Sequence, residues 1–462
     1  MYGTIIINDN IQNSIKLLES NIDKLDVNGN VFVLVRNEVD AIGDVTNDFL
    51  DIIEAAVKLK YFYVNTIVAP TKNVIPSNLP DNVLYIVWLA KDKNHFFNKD
   101  VIRESHIWKD VEWGKRAKNY NPKGKDPGNV WIPTKDDGKA NITEHILLDT
   151  SAIINRLHKC STQEGKDTIY LTSKSISSLN LDSSITVVYS NNDYVPPIPS
   201  KISYSKSIND KPNNITGSVI WGTSENMDKI PDGSINVVIT SPPYWDLKDY
   251  FKKGQIGQES YNTYLDRLYK VWEGCYNKLT ENGSLWLNIN IRTKNGKVIL
   301  IPRDFVAQCR KIGFHYKGVL IWHKSSGIPT HDKNIVDRHE YVLVFSKSEY
   351  LIINDCISNF KDYKNESING GLFWNINRKA GSVGKHFIHP AIYPNGLVSR
   401  IVQITTNVND TVLDPFLGSG TTLIASVLEG RSCIGYEYNE GFKELILSRF
   451  NNEVDLLAKL KI

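Results

Sequence analysis

Paired cysteine motifs are missing from this sequence. Its 462 residues include only five cysteines, none of them in a CxxC pair: Cys160, Cys275, Cys309, Cys356 and Cys433. An odd number of widely spaced cysteines argues against a disulfide framework and a zinc cluster, and it favours a reducing compartment. We therefore expect a cytoplasmic protein.

Long apolar runs and a strong net charge are also missing. No apolar run approaches the roughly 20 residues that span a bilayer, and the start, MYGTIIINDN, lacks the basic-then-apolar order of a signal peptide. Because the net charge is only +3, nucleic-acid binding has to be sought in local basic segments. The absence of HxH and HExxH spacings predicts that the protein has no catalytic metal.

The composition is that of a globular protein, with 41% hydrophobic residues, 10 Trp and 22 Tyr. Its length favours two or three domains. Four prolines among Ser, Asn and Lys mark residues 196–217 as a linker. Beyond it, short apolar runs alternate with helical segments, which predicts a doubly wound, mostly parallel α/β sheet in a catalytic domain at 218–462.

Residues 1–195 repeat the landmarks of the second half in the same order. Any two α/β domains share a strand–helix rhythm, but so many matches at similar gaps favour duplication. The matched pairs include Ile11–Leu25 with Tyr261–Leu279, Asp48-Phe49 with Asp304-Phe305, Val83–Lys93 with Glu340–Tyr350, and Trp131 with Trp374. We expect the first half to be a degenerate copy, so that one chain forms a pseudo-dimer.

A strand that runs directly into Ser241-Pro242-Pro243-Tyr244 is the first motif with chemical content. Consecutive prolines end the strand and leave backbone carbonyls without ladder partners. Ser241 Oγ and the Pro242 carbonyl can accept the hydrogens of an exocyclic amino group, while Tyr244 stacks on a planar base. Pro-Pro alone is common, but a strand followed by Ser-Pro-Pro-aromatic is fairly specific. These four residues are the predicted catalytic residues.

The second motif, TVLDPFLGSGTT at 411–422, joins a strand to a helix through two glycines, and Glu437 ends the next strand. This order is typical of a nucleotide site, with the acid on ribose hydroxyls. No Lys follows the second glycine, and GxGxxG is absent, so ATP and dinucleotides are disfavoured. An acid at the turn would repel phosphate but suits an ammonium group, which favours S-adenosylmethionine. The predicted cofactor residues are Asp414, Pro415, Phe416, Gly418, Gly420, Thr421 and Glu437.

From about Ser218 onward, the chain resembles the β group of amino-methylating DNA methyltransferases, in which the catalytic motif precedes the cofactor motif. The segments LWLNI, IWHKSSGIP, DRHEYVLVFSK and HPAIYPNGLVSRIV extend the similarity. The resemblance implies a Rossmann-like fold, S-adenosylmethionine as cofactor, and a flipped base in double-stranded DNA as substrate. In that family, Ser before Pro-Pro-Tyr goes with N4 of cytosine, whereas Asp or Asn there goes with N6 of adenine.

Two departures from the family pattern leave questions open. Thr223 follows Gly222 where the family often has an Asp that contacts the cofactor's adenine. The family's target-recognition segment is short here, about 354–385, so the DNA sequence that is recognised cannot be deduced.

Methylation at C5 is disfavoured because none of the cysteines follows a proline. Asp246 and Asp249 both remain candidate proton acceptors.

A run of basic residues in the first half, including Lys115, Arg116 and Lys118, is the candidate for contacts with DNA phosphates. A plain solvated loop is the competing interpretation. An adenine-N6 enzyme, a non-catalytic DNA-binding relative and an RNA substrate stay open, as does a cognate restriction endonuclease as partner. A nuclease domain in the first half is disfavoured, because Pro80-Asp81 has no second acid at Leu89-Ala90-Lys91.

Overall fold

Each half of the chain alternates apolar strands with amphipathic helices, and its strands form one large sheet. The computed structural model describes residues 1–40, 42–75, 79–103, 123–124, 126–131, 149–190, 211–247, 252–324, 334–354, 371–376, 393–454 and 458–462. None of the helices in these ranges is both long and apolar enough to cross a lipid bilayer.

The first sheet has the order β3-β4-β2-β1-β5-β6, with β4 antiparallel to both of its neighbours and the other pairs parallel. Its strands are β1 Tyr2–Asn8, β2 Leu25–Val35, β3 Phe62–Ile75, β4 Asp81–Ala90, β5 Asp167–Thr172 and β6 Ile185–Tyr189. Its helices are α1 Ile11–Asn21, α2 Asp48–Lys58 and α3 Thr150–Ser161.

The second sheet has the order β14-β12-β13-β9-β8-β15-β16-β7-β17, with β13 antiparallel to β12 and β9. The strands of this half are β7 Thr216–Trp221, β8 Ile235–Thr240, β9 Leu279–Ile289, β10 Arg292–Lys294, β11 Lys297–Ile299, β12 His315–His323, β13 His339–Ser346, β14 Phe373–Asn375, β15 Thr411–Asp414, β16 Ser432–Glu437 and β17 Lys459–Lys461. Its helices are α4 Tyr261–Lys278, α5 Ile301–Ile312, α6 Asn395–Thr405, α7 Thr421–Leu428 and α8 Lys443–Glu453. The predicted α/β class with mostly parallel sheets is therefore confirmed, and the antiparallel pairs of each sheet are those made by β4 and β13.

The two sheets share one strand order. β3, β4, β2, β1, β5 and β6 correspond in position and direction to β12, β13, β9, β8, β15 and β16. Both outer hairpins also carry the same irregularity, a bulge that leaves Val64 unpaired in β3 and Lys317 unpaired in β12. α2 and α5 are each followed by a residue with positive φ, Lys60 at 71° and Gly313 at 119°.

The outer hairpins of the two halves pack against each other through matching contacts. Asn129 N donates to Val336 O at 2.9 Å, and its counterpart Leu372 N donates to Pro80 O at 3.1 Å. Phe49 stacks on Tyr85 at 4.2 Å between ring centroids and contacts Tyr341 at 5.4 Å. A continuous apolar core therefore joins the two halves.

Several sequence-based boundaries need correction. The helix expected at Ile11–Leu25 ends at Asn21, because the next strand begins at Leu25. Strand β7 begins at Thr216, inside the expected linker. Part of the expected recognition segment, Phe373–Asn375, is a buried strand beside β12 rather than a surface loop.

Two of the sequence alignments are also shifted. By their positions in the β3–β4 and β12–β13 pairings, Leu89 corresponds to Phe345. The sequence alignment had matched Leu89 with the residue after Phe345. The predicted match is ambiguous because strands that are buried on both faces lack the two-residue alternation that reveals register. Counted from the first residue of each helix, Asp51 rather than Asp48 corresponds to Asp304.

Candidate active site

The two sequence motifs meet at the place where the strand order of the second sheet reverses. From β8 the chain crosses to β9 on one side, and from β15 it crosses to β16 on the other. Crevices at such a reversal, outside the carboxyl ends of parallel strands, are the usual binding sites of α/β sheets. Ser241 directly follows β8, and the 415–420 turn directly follows β15.

Asp414, at the end of β15, is a buried carboxylate surrounded by donors. Its oxygens accept hydrogen bonds from Thr240 Oγ1 at 2.6 Å, Thr422 Oγ1 at 2.6 Å, Phe416 N at 3.0 Å and Tyr393 OH at 3.1 Å. Burial raises the pKa of Asp414 despite these bonds. Asp414 therefore ties the end of β8 to the cofactor turn.

Glycine backbone makes the turn after β15 possible. Gly418 has φ of 55° and Gly420 has φ of 83°, both in the left-handed region that favours glycine. Arg449 of α8 holds this turn from below, donating from Nη1 to Ser419 O at 2.9 Å and to Thr421 Oγ1 at 3.0 Å. The loop is thus fixed before any ligand arrives.

Glu437 closes the turn from β16. Its oxygens accept from Gly418 N and from Asn439 N, each at 2.7 Å, which fixes the carboxylate at the edge of the cleft. Burial raises the pKa of Glu437 to about 7.

A cleft with about 890 Å³ of empty space, part of it open to solvent, runs between these elements. The 252–259 loop forms its opposite wall with Gln255 and Ile256. Gly257 allows this loop to pass close to the catalytic turn, because a Cβ there would lie 2.7 Å from Trp245 O. The other lining residues include Gly222, Thr223, Ser224, Ser241, Pro243, Pro415, Phe416, Leu417, Gly418, Thr421, Tyr436, Glu437 and Phe442.

Tyr244 is held by a polar network next to Ser241. Its hydroxyl donates to Glu340 Oε2 at 2.9 Å, and Asn288 Nδ2 donates to the same carboxylate oxygen at 2.9 Å. Lys324 Nζ forms an ion pair with Glu340 Oε1 at 2.9 Å. Burial would raise the pKa of Glu340, but the ammonium of Lys324 and the hydrogen bonds lower it. Glu340 is therefore ionised at neutral pH.

Asp246, one of the two candidate proton acceptors, is already engaged. It forms ion pairs with Arg292 and Lys294. Burial would raise its pKa, but these two cations lower it instead. A carboxylate in this state is a weak base, and Asp249 lies outside the described residues.

Comparison with known protein families finds a match within this half of the chain. The model of the N6/N4 methyltransferase family, described as DNA methylase, matches residues 235–448, which include both motifs. Over these residues the chain is similar to this DNA methylase family.

Individual relatives match about half of the chain. The type II methyltransferase M.Cfr9I of Citrobacter freundii is 28% identical over 261 residues, 49% of this chain and 84% of its own. The DNA adenine methyltransferase YhdJ of Escherichia coli is 27% identical over 258 residues, 51% of this chain and 84% of its own. A protein of Thermus thermophilus described as a putative DNA modification methylase, solved with S-adenosyl-L-methionine, has a TM-score of 0.40 and 26% identity over 54% of this chain and 100% of its own.

S-adenosylmethionine is the cofactor of this methylase family, and the cleft fits it. Glu437 lines the cleft, and its carboxylate would hold the ribose hydroxyls. Ile256, Phe416 and Phe442 line the cleft with apolar surface that would receive the adenine ring. The left-handed backbone at Gly418 lets main-chain groups approach the ligand closely.

Most predicted site residues of the methylase half come together at the cleft. Ser241, Pro243, Pro415, Phe416, Gly418, Thr421 and Glu437 line it, and Pro242 and Gly420 shape its two turns. Asp414 does not line the cleft, since its oxygens face inward, and its expected contact with the cofactor ammonium stays a prediction. Lys115, Arg116 and Lys118 lie outside the described residues.

Sequence reasoning missed Asn288, Lys324 and Glu340. All three lie in segments that carried the family resemblance, LWLNI, IWHKSSGIP and DRHEYVLVFSK, but nothing in the sequence indicated that they meet. A charged residue in each of two apolar strand segments, Lys324 directly after β12 and Glu340 within β13, is the signal that could have paired them.

We predict that cofactor affinity depends on the ionisation of Glu437. Ribose hydroxyls need both carboxylate oxygens as acceptors, so binding favours the ionised form and lowers a pKa that is about 7 in the free protein. The ionised fraction rises from about a tenth at pH 6 to about nine tenths at pH 8, so S-adenosylmethionine should bind roughly tenfold more tightly at pH 8. Calorimetric titration at both pH values measures this.

Glu437→Gln is the matched control for this measurement. The amide keeps the shape of the side chain but does not titrate, so the pH dependence contributed by residue 437 should disappear. Protonation of the cofactor's own amino group affects both proteins equally. An identical pH dependence in the two proteins would show that Glu437 does not bind the ribose.

Proposed function

We propose that this chain is a sequence-specific, type II DNA methyltransferase that methylates N4 of cytosine in double-stranded DNA. The observation that carries the proposal is Ser241, which lines the cofactor cleft immediately after β8 and lies beside the anchored ring of Tyr244. A hydroxyl at this position is the family feature that accompanies cytosine, whereas an acid or amide accompanies adenine. The relatives M.Cfr9I and YhdJ both support the broader class.

The chemistry requires an amine to be made nucleophilic and held in line. When bound, S-adenosylmethionine supplies an electrophilic methyl group on a sulfonium. Ser241 Oγ and the Pro242 carbonyl accept the two amino hydrogens, which withdraws the nitrogen lone pair from the ring. The nitrogen–carbon bond then forms as the sulfur–carbon bond breaks, which leaves a neutral thioether, and the nitrogen afterwards passes one proton to water. Alignment supplies most of the acceleration, and fixed polar groups stabilise the developing charge.

Glu340 acts as a positioning residue in this proposal. It contacts the hydroxyl of Tyr244 rather than the expected position of the amine, and it is itself held by Lys324 and Asn288. The aromatic ring that covers the base is therefore fixed at its far end. A ring held in one orientation costs less conformational entropy when the base enters the site.

We expect N4-methylcytosine as the product. The chain is incubated with mixed-sequence DNA and methyl-labelled S-adenosylmethionine, and the DNA is digested to nucleosides that are separated and identified by mass. Label in N4-methyldeoxycytidine is the expected result. Label only in N6-methyldeoxyadenosine would refute the cytosine assignment, and label only in RNA offered alongside would refute the DNA assignment.

We further predict that Ser241→Ala lowers kcat by roughly 10²–10³, because it removes a fixed polar contact to the reacting amine. Glu340→Gln should also lower kcat, since Tyr244 loses its charged anchor and the buried ammonium of Lys324 loses its partner. Neither substitution touches the cofactor's ribose site, so calorimetry should give unchanged affinity for S-adenosylmethionine.

The matched control is Glu281→Gln, the same substitution at an exposed position near the opposite end of β9. It should leave kcat unchanged. A loss of cofactor affinity in a folded Ser241→Ala protein would contradict the role of Ser241 in base binding. Full activity of Glu340→Gln would contradict the positioning role.

We propose that the first half is a degenerate methyltransferase copy and that the chain is a pseudo-dimer. The shared strand order, the matching bulges and the paired contacts between the hairpins support this. After β5 the sequence runs SKSIS without glycine, and after β1 it has Asp9-Asn10 instead of Ser-Pro-Pro. Asp9 bonds to Ser173 Oγ at 2.9 Å and to Ser190 Oγ at 2.5 Å, so side chains cross the position of the cleft.

A chain of this kind binds one cofactor. Calorimetric titration with S-adenosylmethionine should therefore give one site per chain, and substitution of Gly418 by a residue with a side chain should abolish the heat. Two sites per chain, or residual binding in that variant, would contradict a degenerate first half.

A further inference from the structure

A small hairpin leaves the second sheet directly beside the catalytic turn. β10 and β11 pair antiparallel, with Arg292 opposite Ile299 and Lys294 opposite Lys297. The turn between them is Asn295-Gly296, with φ of 49° and 74°. Two successive positive φ values match the tight turn that suits the twist of a hairpin. The projection is therefore an ordered element and begins three residues after β9 ends.

The base of this hairpin is attached to the catalytic turn. Arg292 Nη1 donates to Tyr244 O at 3.1 Å. The indole of Trp245 lies under Lys294, with Nζ 4.3 Å from the ring centroid, and Asp246 forms ion pairs with Arg292 and Lys294. The position of the hairpin is consequently fixed relative to the predicted base site.

The tip of the hairpin has an excess of positive charge. Lys294 and Lys297 are directly opposite, where cross-strand neighbours share one face, and like charges in such a pair are destabilising. Asp246 is shared between Arg292 and Lys294, and Lys297 is exposed and has no ion-pair partner among the described residues. An external anion at the tip would relieve this repulsion.

The corresponding segment of the first half has the opposite charge and a different partner. After β2, Val39 and Val45 form an antiparallel bridge around a turn that contains two aspartates. One of them, Asp44, accepts from Lys317 Nζ at 2.6 Å and lies 3.0 Å from His315 Nδ1. In the first half, this turn contacts cations of the protein and is itself acidic. The basic β10–β11 hairpin beside the catalytic turn therefore indicates an anionic partner.

We infer that the β10–β11 hairpin contacts phosphates of duplex DNA next to the target base. This inference rests on the proposed function and adds a DNA contact to it. A base that leaves the helix needs its flanking backbone held in register, and lysines that contact phosphates supply that register without reading sequence. Lys297 and Lys294 bind the phosphates, while Arg292 fixes the hairpin to Tyr244.

The test is the double substitution Lys294→Ala/Lys297→Ala, with Lys459→Ala/Lys461→Ala as the matched control. The control removes two lysine charges from β17, an edge strand that β8, β15, β16 and β7 separate from β9 in the second sheet. Binding of a fluorescein-labelled duplex of mixed sequence is measured by anisotropy across a salt series. The hairpin variant should bind roughly tenfold more weakly at low salt, and its plot of log K against log salt should be shallower by about 1 to 2. The control should match the wild type.

Equal weakening in both variants, or an unchanged salt slope in the hairpin variant, would overturn the inference. If the double variant folds poorly, Lys297→Ala alone serves as the test, because it changes only an exposed side chain. This variant should make the plot of log K against log salt shallower by about 1. The wild-type chain separates this question from the proposed function. If it methylates no DNA, the proposed function fails, whereas tight duplex binding by the hairpin variant defeats only the hairpin contact.

Discussion

The hydrogen bonds of one buried carboxylate hold the methylase site together. Asp414 accepts from Thr240 at the end of β8, from Phe416 in the cofactor turn, from Thr422 in α7 and from Tyr393 before α6. An uncompensated carboxylate in this position would be costly, so the four donors have to remain in place. The strand that carries Ser241 and the turn that receives the cofactor are thereby kept in one register.

Two further polar groups extend this rigid framework to either side. Arg449 holds the glycine turn from α8, and Glu340 holds the ring of Tyr244 from β13. Each lies far in sequence from the residue that it supports, and each is largely removed from solvent. Tyr244 and the cofactor turn are therefore held by residues outside the two motifs, which is how fixed geometry is achieved in sites that depend on alignment.

Sequence reasoning was most successful where a motif is local. Ser241–Tyr244 and the 414–420 turn are contiguous, and their glycines, prolines and strand ends have direct backbone consequences. It could not give the direction of the Asp414 side chain, because that depends on Thr240 and Tyr393, which are distant in sequence. The strand at Phe373–Asn375, inside the expected recognition segment, was not predicted because three residues are too few to show a measurable periodicity.

The proposed loss of the first cofactor site need not disturb the packing between the halves. The cofactor turn would follow β5, whereas the packing surface is made by β3 and β4, on the other side of β1 and β2 in the sheet. Tyr341 of the methylase half is 1% exposed and lies against Phe49, so this surface would be uncovered without the first half. Substitutions after β5 can therefore remove ligand binding while the strands that cover the methylase half are retained for stability.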